Sequence, residues 1–354
     1  MAKFFIYADP HICTYSSIVR TRGSRYSTRL EHCIDSINWV QREAEANQCS
    51  AIICLGDFFD KESLNSEELS SLQSIQWSNT IQNIFLVGNH EMGLNSLEYS
   101  STHVFSLCPN SLIIDKPQCL ALSDNTNFLC IPYLLENKRK SLKEYLSICD
   151  SAKRTVIFSH NDLAGIRFGQ YESKVGFSID EIEESGAIFL NGHLHNSESI
   201  GKTGKIINIG NLTGQNFSEN AFKYPHGGYI YDDERNTLEF LSNPFALNFY
   251  KIDTTAADWN DNVLFNLKNN AVLTLKAFDS KIADYSALLK TLPNIVESRL
   301  ITVNQPDSEV TKNNADAFKL NYFDKFIEFV YNNFERSPII EEELGIICGG
   351  SCAD

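Results

Sequence analysis

Ala51-Ile52-Ile53-Cys54-Leu55, running into Gly56-Asp57-Phe58-Phe59-Asp60, is the stretch whose reading decides the fold. An uninterrupted apolar run of this length reads as a strand covered on both faces, and Gly-Asp at its end turns the backbone and sets a carboxylate at the rim. The layout recurs. Phe4-Phe5-Ile6-Tyr7-Ala8 leads to Asp9-Pro10-His11, and Ile84-Phe85-Leu86-Val87 to Gly88-Asn89-His90-Glu91. Thr155-Val156-Ile157-Phe158 leads to Ser159-His160, and Ala187-Ile188-Phe189-Leu190 to Asn191-Gly192-His193-Leu194-His195. Five buried strands therefore end in oxygen or imidazole donors. In open α/β sheets the functional crevice lies at the carboxyl ends of the strands, so these donors are expected to converge there.

Asp9, His11, Asp57, Asn89, His160, His193 and His195 offer only oxygen and nitrogen, a set suited to a pair of hard or borderline divalent ions and unlike a thiolate zinc site. Asp57 has two oxygens and is read as holding one cation on each. Two cations about 3.5–4 Å apart clamp a phosphoryl oxygen and lower the pKa of a shared water. His90, beside a ligand, is the candidate acid. A lone histidine after a strand is more often a satisfied turn residue than a ligand, and it is the company of the other blocks that favours ligation.

Taken together, Asp9-x-His11, Gly56-Asp57-x-x-Asp60, Gly88-Asn89-His90-Glu91, Ser159-His160 and Gly192-His193-x-His195 resemble the calcineurin-like metallophosphoesterases in order and spacing. The resemblance implies Asp9, His11, Asp57 and His195 around one metal, and Asp57, Asn89, His160 and His193 around the other. It also implies that the Asp60 carboxylate orients a catalytic His90. The implied fold is α/β, a two-sheet β-sandwich flanked by helices.

The chain has 354 residues and ten cysteines, with a net charge of −15. That length allows one large α/β domain and a smaller one. No window approaches a membrane span and no secretion signal precedes the first strand. Cys33, Cys49, Cys54, Cys130 and Cys149 fall within or beside expected helices and strands and read as small buried apolar groups, which points to a reducing, cytoplasmic setting. An acidic chain is repelled by nucleic acid unless metals, a local basic patch or a second subunit supply attraction. One such patch is visible: Arg20, Arg22, Arg25 and Arg29, interleaved with Tyr15 and Tyr26, follow Asp9-Pro10-His11 and are candidates to hold phosphates beside the metals.

Along the chain, Thr28 opens a helix with Leu30, Ile34, Ile37, Val40 and Ala44 at helical spacing. Asn65 with Glu68 resembles a cap for a further helix carrying Leu69, Leu72 and Ile75. Leu112–Ile114 and Phe128–Ile131 read as strands. Gly228–Tyr231 and Leu238–Leu241 read as a hairpin finishing the second sheet. Residues 1–244 are thus assigned to the sandwich, and 245–304, with short strands around a helix near Ala283–Leu292, to a small α+β capping domain. Residues 305–314 read as a linker and 315–354 as a partner-binding helix and tail, on the aromatic stripe of Phe318, Tyr322, Phe323, Phe326 and Phe334.

This organisation is similar to the SbcD-type DNA repair nucleases, notably the recombination endonuclease small subunits of large phages. The resemblance implies manganese as the usual metal (magnesium, iron or zinc being alternatives), DNA as substrate, 3′–5′ exonuclease and single-strand endonuclease activity, and an SbcC-like ATPase as partner. A homodimer is left open. Gly210-Asn211-Leu212 departs from the Gly-Ser-Pro or Gly-Thr-Pro of many relatives, which puts the shape of that loop in doubt. A phosphatase or small-molecule phosphodiesterase would share every metal residue.

Overall fold

The structure, a computed structural model, describes residues 2–15, 25–108, 110–168 and 171–305. Its first sheet is built on strands β1 (Lys3–Tyr7), β2 (Ala51–Cys54), β3 (Gln82–Leu86) and β4 (Ser111–Ile114), parallel neighbours in that order. The second contains β5 (Gln118–Leu120), β6 (Thr126–Ile131), β7 (Arg154–Ser159) and the strands Ile188–Asn191, Ile206–Asn208 and Glu198–Ile200, in that spatial order. Each sheet has six strands.

Side-chain alternation explains why these runs are apolar throughout. Phe4, Ile6, Ile53 and Leu86 point inward and meet Phe128, Cys130, Val156 and Phe158 of the second sheet in one cluster between the sheets. Phe5, Tyr7, Ile52 and Phe85 point the other way, against Leu30, Ile34, Ile37 and Val40 of α1 (Thr28–Ala46). The second sheet does likewise. Leu129, Ile131, Ile157 and Phe189 pack outward on Leu142 and Tyr145 of α3 (Leu142–Leu146) and Ile182 of α4 (Ile179–Ser185). Every central strand is therefore covered on both faces. Between α1 and β3 lies α2 (Ser66–Ser71), whose capping box is complete: Asn65 accepts from the Glu68 amide and Glu68 accepts from the Asn65 amide.

The hairpin is corrected in place. Gly227–Asp232 and Thr237–Ser242 pair antiparallel as expected, but Gly227–Asp232 docks antiparallel on β1 and so extends the first sheet, not the second. Beyond it, Asn248–Asp253, Ala271–Phe278 and Ile295–Val303 form a separate three-stranded sheet, with a helix at Asp279–Thr291. Residues 1–277 and 283–301 make one compact unit; of the other, 278–282 and 302–354, only 278–282 and 302–305 are described. Of the segment expected as a linker, 305–314, only Gln305 is described, and the helix and tail expected at 315–354 lie outside the described residues. Among the described residues all eight cysteines are free thiols, and no helix is long and apolar enough to cross a membrane.

Candidate metal centre

The strand ends are held side by side by backbone pairing that continues past the strands. Leu55 N donates to Tyr7 O at 2.8 Å, Asp9 N to Gly56 O at 3.1 Å, His11 N to Asp57 O at 3.1 Å and Ile12 N to Phe58 O at 2.8 Å. This ladder brings Asp9, His11 and Asp57 to one rim. The second sheet is tied to it by His160 Nδ1, 2.7 Å from Leu55 O, and by the His193 amide, which donates to both Asp9 oxygens at 3.0 and 3.2 Å.

Backbone strain concentrates at the same place. Asp9, His11, Asp57 and His193 all adopt positive φ, at 51°, 44°, 47° and 73°. Such conformations persist where surrounding structure over-determines them, and they cluster at functional sites. Gly88 serves close approach: a Cβ there would lie 2.1 Å from Asp57 Oδ1.

Three clusters of metal-ligating atoms result, Asp9–His11–His195, His11–Asp57–His90 and Asp57–His160–His193, each within 4.8 Å. Asn89 Oδ1 closes the last, 3.2 Å from His160 Nε2 and 2.9 Å from His193 Nδ1. Asp57 is common to two of the clusters. Its Oδ1 accepts the His90 amide at 2.9 Å, whereas Oδ2 faces both His160 Nε2 at 3.1 Å and His11 Nε2 at 3.8 Å.

A divalent pair fits this donor set. His11 Nε2 is buried with no hydrogen-bond partner among the described residues, 3.8 Å from Asp9 Oδ1 and from Asp57 Oδ2. That gap is too long for a hydrogen bond and about the span of two bonds of roughly 2 Å to a shared ion. Burial pushes the His11 imidazole down to about 4, and lowers His160 as well, so both offer neutral nitrogens for ligation. Burial, then the charge of Asp57, pushes the Asp9 carboxyl up. Asp57 is itself opposed by burial but held low by His160 and His11. Two buried carboxylates in mutual repulsion are what a bound cation relieves.

Each histidine turns its other nitrogen to an oxygen, which fixes ring and tautomer. His11 Nδ1 meets Asp60 Oδ1 at 3.0 Å, His160 Nδ1 the Leu55 carbonyl, His193 Nε2 Asp162 Oδ1 at 3.1 Å and His195 Nδ1 Glu219 Oε1 at 3.3 Å. Asp60 is thereby corrected: its carboxylate serves His11, and it is its backbone carbonyl that lies 3.0 Å from His90 Nδ1, the carboxylate being 3.8 Å away. Asp162, two residues after the candidate ligand His160, was within reach of sequence reasoning. Glu219 was not, sitting in a polar loop without periodicity.

The arginine patch separates. Arg20 and Arg22 lie outside the described residues. Arg25 is exposed, its guanidinium 5.2 Å above the Tyr26 ring. Arg29 differs from a free surface arginine: it is buried in the first turn of α1, at the edge of a cavity beside His11, and donates to Gly214 O at 2.8 Å and Pro10 O at 3.1 Å, so it braces the Asp9 loop from within.

Compared with known proteins, the chain matches the calcineurin-like phosphoesterase family over residues 2–265. Among solved structures, a dimetal phosphatase from Danio rerio is similar at 12% identity with a TM-score of 0.37, over 65% of this chain and 91% of that one. No curated protein matches in sequence.

Proposed function

This chain belongs to the calcineurin-like phosphoesterases and is a hydrolytic metallophosphoesterase; on that premise we propose that it is a DNA nuclease, cleaving phosphodiesters from 3′ ends and within single strands as the small subunit of an SbcCD-like repair complex. The observation that carries the phosphoester chemistry is the sharing of Asp57 between two clusters of histidines. DNA as substrate is supported by the order of segments along the chain and by the resemblance of its C-terminal part to SbcD-type nucleases. An SbcC-like ATPase as partner and manganese as metal rest on the same resemblance.

Asp9, His11, Asp57 and His195 would hold one ion and Asp57, Asn89, His160 and His193 the other. When bound, the pair supplies Lewis-acid polarisation of phosphate and water acidic enough to ionise near neutral pH. The chain's own part is positioning and proton transfer. Asn89 donates to a phosphate oxygen. His90 is exposed at the rim with Nδ1 committed to the Asp60 carbonyl, which leaves Nε2 to pass a proton to the departing sugar oxygen. A cavity of about 330 Å³ beside His11 and Asp60, lined also by Cys13, Tyr15, Arg29, Gln215 and Asn216, gives a substrate room next to the centre.

Manganese-dependent digestion of end-labelled duplex and hairpin DNA, set against hydrolysis of a nitrophenyl phosphate ester, tests the proposal. Preference for DNA is expected; faster turnover of the small ester with intact DNA would instead favour a phosphatase or small-molecule phosphodiesterase. His90→Ala should retain metal and lose about 10²–10⁴-fold in turnover. Asp57→Ala should lose both, as read by metal content beside activity.

A further inference from the structure

Glu219 is a buried carboxylate in the loop after the sandwich's ligand strands, its side chain only 3% exposed. A buried charge is costly unless it is well partnered. Its partners are specific. Oε1 accepts Asn211 Nδ2 at 3.0 Å and faces His195 Nδ1 at 3.3 Å, and Oε2 accepts the Gln215 amide at 3.0 Å. Asn211 is itself oriented by His226 Nδ1, 2.7 Å from its Oδ1, which fixes its amide nitrogen toward Glu219. The Asn211 amide also donates to His195 O at 3.1 Å, and Gln215 Nε2 to Asp9 O at 3.2 Å. The loop that departs from Gly-Ser-Pro thus touches two candidate ligands of one ion through Asn211, Gln215 and Glu219.

Resting on the two-metal reading, we propose that Glu219 is a positioning residue for one ion only. It accepts a hydrogen bond from His195 Nδ1 and so turns Nε2 to the side of Asp9 and His11, with His226 and Asn211 setting the carboxylate. Asp162 does the corresponding work for His193 and the other ion. The two ions are therefore held by separately mutable supports, and the strength of each site can be changed without the other.

Full-length protein stripped with chelator and titrated with manganese, followed by calorimetry and electron paramagnetic resonance, tests this. Wild type should take up two ions. Glu219→Gln should weaken one class of site by about 10–100-fold and leave the second unchanged, and Asp162→Asn should weaken the second alone. Glu219→Asp, which keeps the carboxylate, should recover part of the lost affinity. The cobalt-loaded d–d spectrum should shift for Glu219→Gln, a signature that mere loosening of the loop would not give. Unchanged affinity at both sites in folded Glu219→Gln, or weakening of the same site by both variants, would overturn the assignment alone. Wild-type protein that binds no manganese would overturn the two-metal reading and this assignment with it. Should Glu219→Gln fail to fold, Asn211→Ala, which leaves the carboxylate unanchored, must still weaken the first class selectively or the proposal is wrong.

Discussion

Gly56 meets two demands that an alanine cannot meet together. Its φ is +114°, and a Cβ there would lie 2.4 Å from His160 Nδ1. Gly56→Ala should therefore push His160 off the Leu55 carbonyl, giving a folded protein of lower melting temperature that has lost the ion of the Asp57–His160–His193 cluster, as metal analysis would show. Candidate ligands of this kind stand out in the sequence because each follows a buried apolar run. The partners of the rings are harder to read: nothing in the spacing tells whether Asp60 serves His90 or His11, since both rings lie within reach of one short side chain and only the backbone turn decides. His226, which no motif singles out, is buried, and burial holds its imidazole down at about 4. Between that value and the ordinary 6.5 the folded chain binds fewer protons than the unfolded one. The stability this contributes is complete above about pH 6.5 and is lost as pH falls through 4, on the order of 3 kcal/mol in all. Urea unfolding of metal-free protein from pH 7 to 4 should show the gap between wild type and His226→Gln narrowing as pH falls; a gap that stays constant would mean that His226 does not titrate in this range.

At the level of elements, the inner aromatic layer is what lets the two sheets present their ligands to one crevice. Phe128 is fully buried between Phe4, with ring centroids at 4.8 Å, and Phe158 at 5.8 Å. Phe128→Ala should cost about 3–5 kcal/mol, through lost burial and the cavity left behind, and a thermal melt should register it as a drop of several degrees. The strands themselves were readable because double-sided burial leaves continuous apolar runs. Their partners were harder. The period-two pattern of Gly228–Tyr231 and Leu238–Leu241 identifies a hairpin but carries no information on which sheet edge receives it, and β1 offered an edge that the sequence did not advertise. Helix length failed for a similar reason. Leu69, Leu72 and Ile75 keep helical spacing, yet α2 stops at Ser71, a tight turn covers Leu72–Ser74 and Ile75 is extended, so that Ile75 is buried while Leu69 stays exposed. Tertiary packing overrode the local periodicity there.

For the molecule as a whole, the net charge of −15 bears directly on the proposed substrate. A protein that grips DNA through six to ten phosphate contacts releases as many counterions, and loses about 10³–10⁵-fold in affinity between 50 and 200 mM salt. Among the described residues, the candidate arginine patch supplies few such contacts. Of the four arginines that follow the first ligand pair, Arg29 is committed to backbone carbonyls inside the fold, and of the two described only Arg25 reaches solvent. On the proposed reading the metal centre, a few charges at one point, would supply much of the attraction. The isolated chain is accordingly expected to hold DNA weakly, with a shallow salt dependence of KM, falling far short of that 10³-fold loss over the same range at constant manganese. Adding an SbcC-like partner should steepen the dependence, because the counterions released would be those displaced by the partner's surface. Steady-state hydrolysis of labelled DNA across that salt range, with and without the partner, measures both slopes. A steep slope from the isolated chain would place a basic DNA-binding face on this chain itself and remove the need for a second subunit to supply attraction.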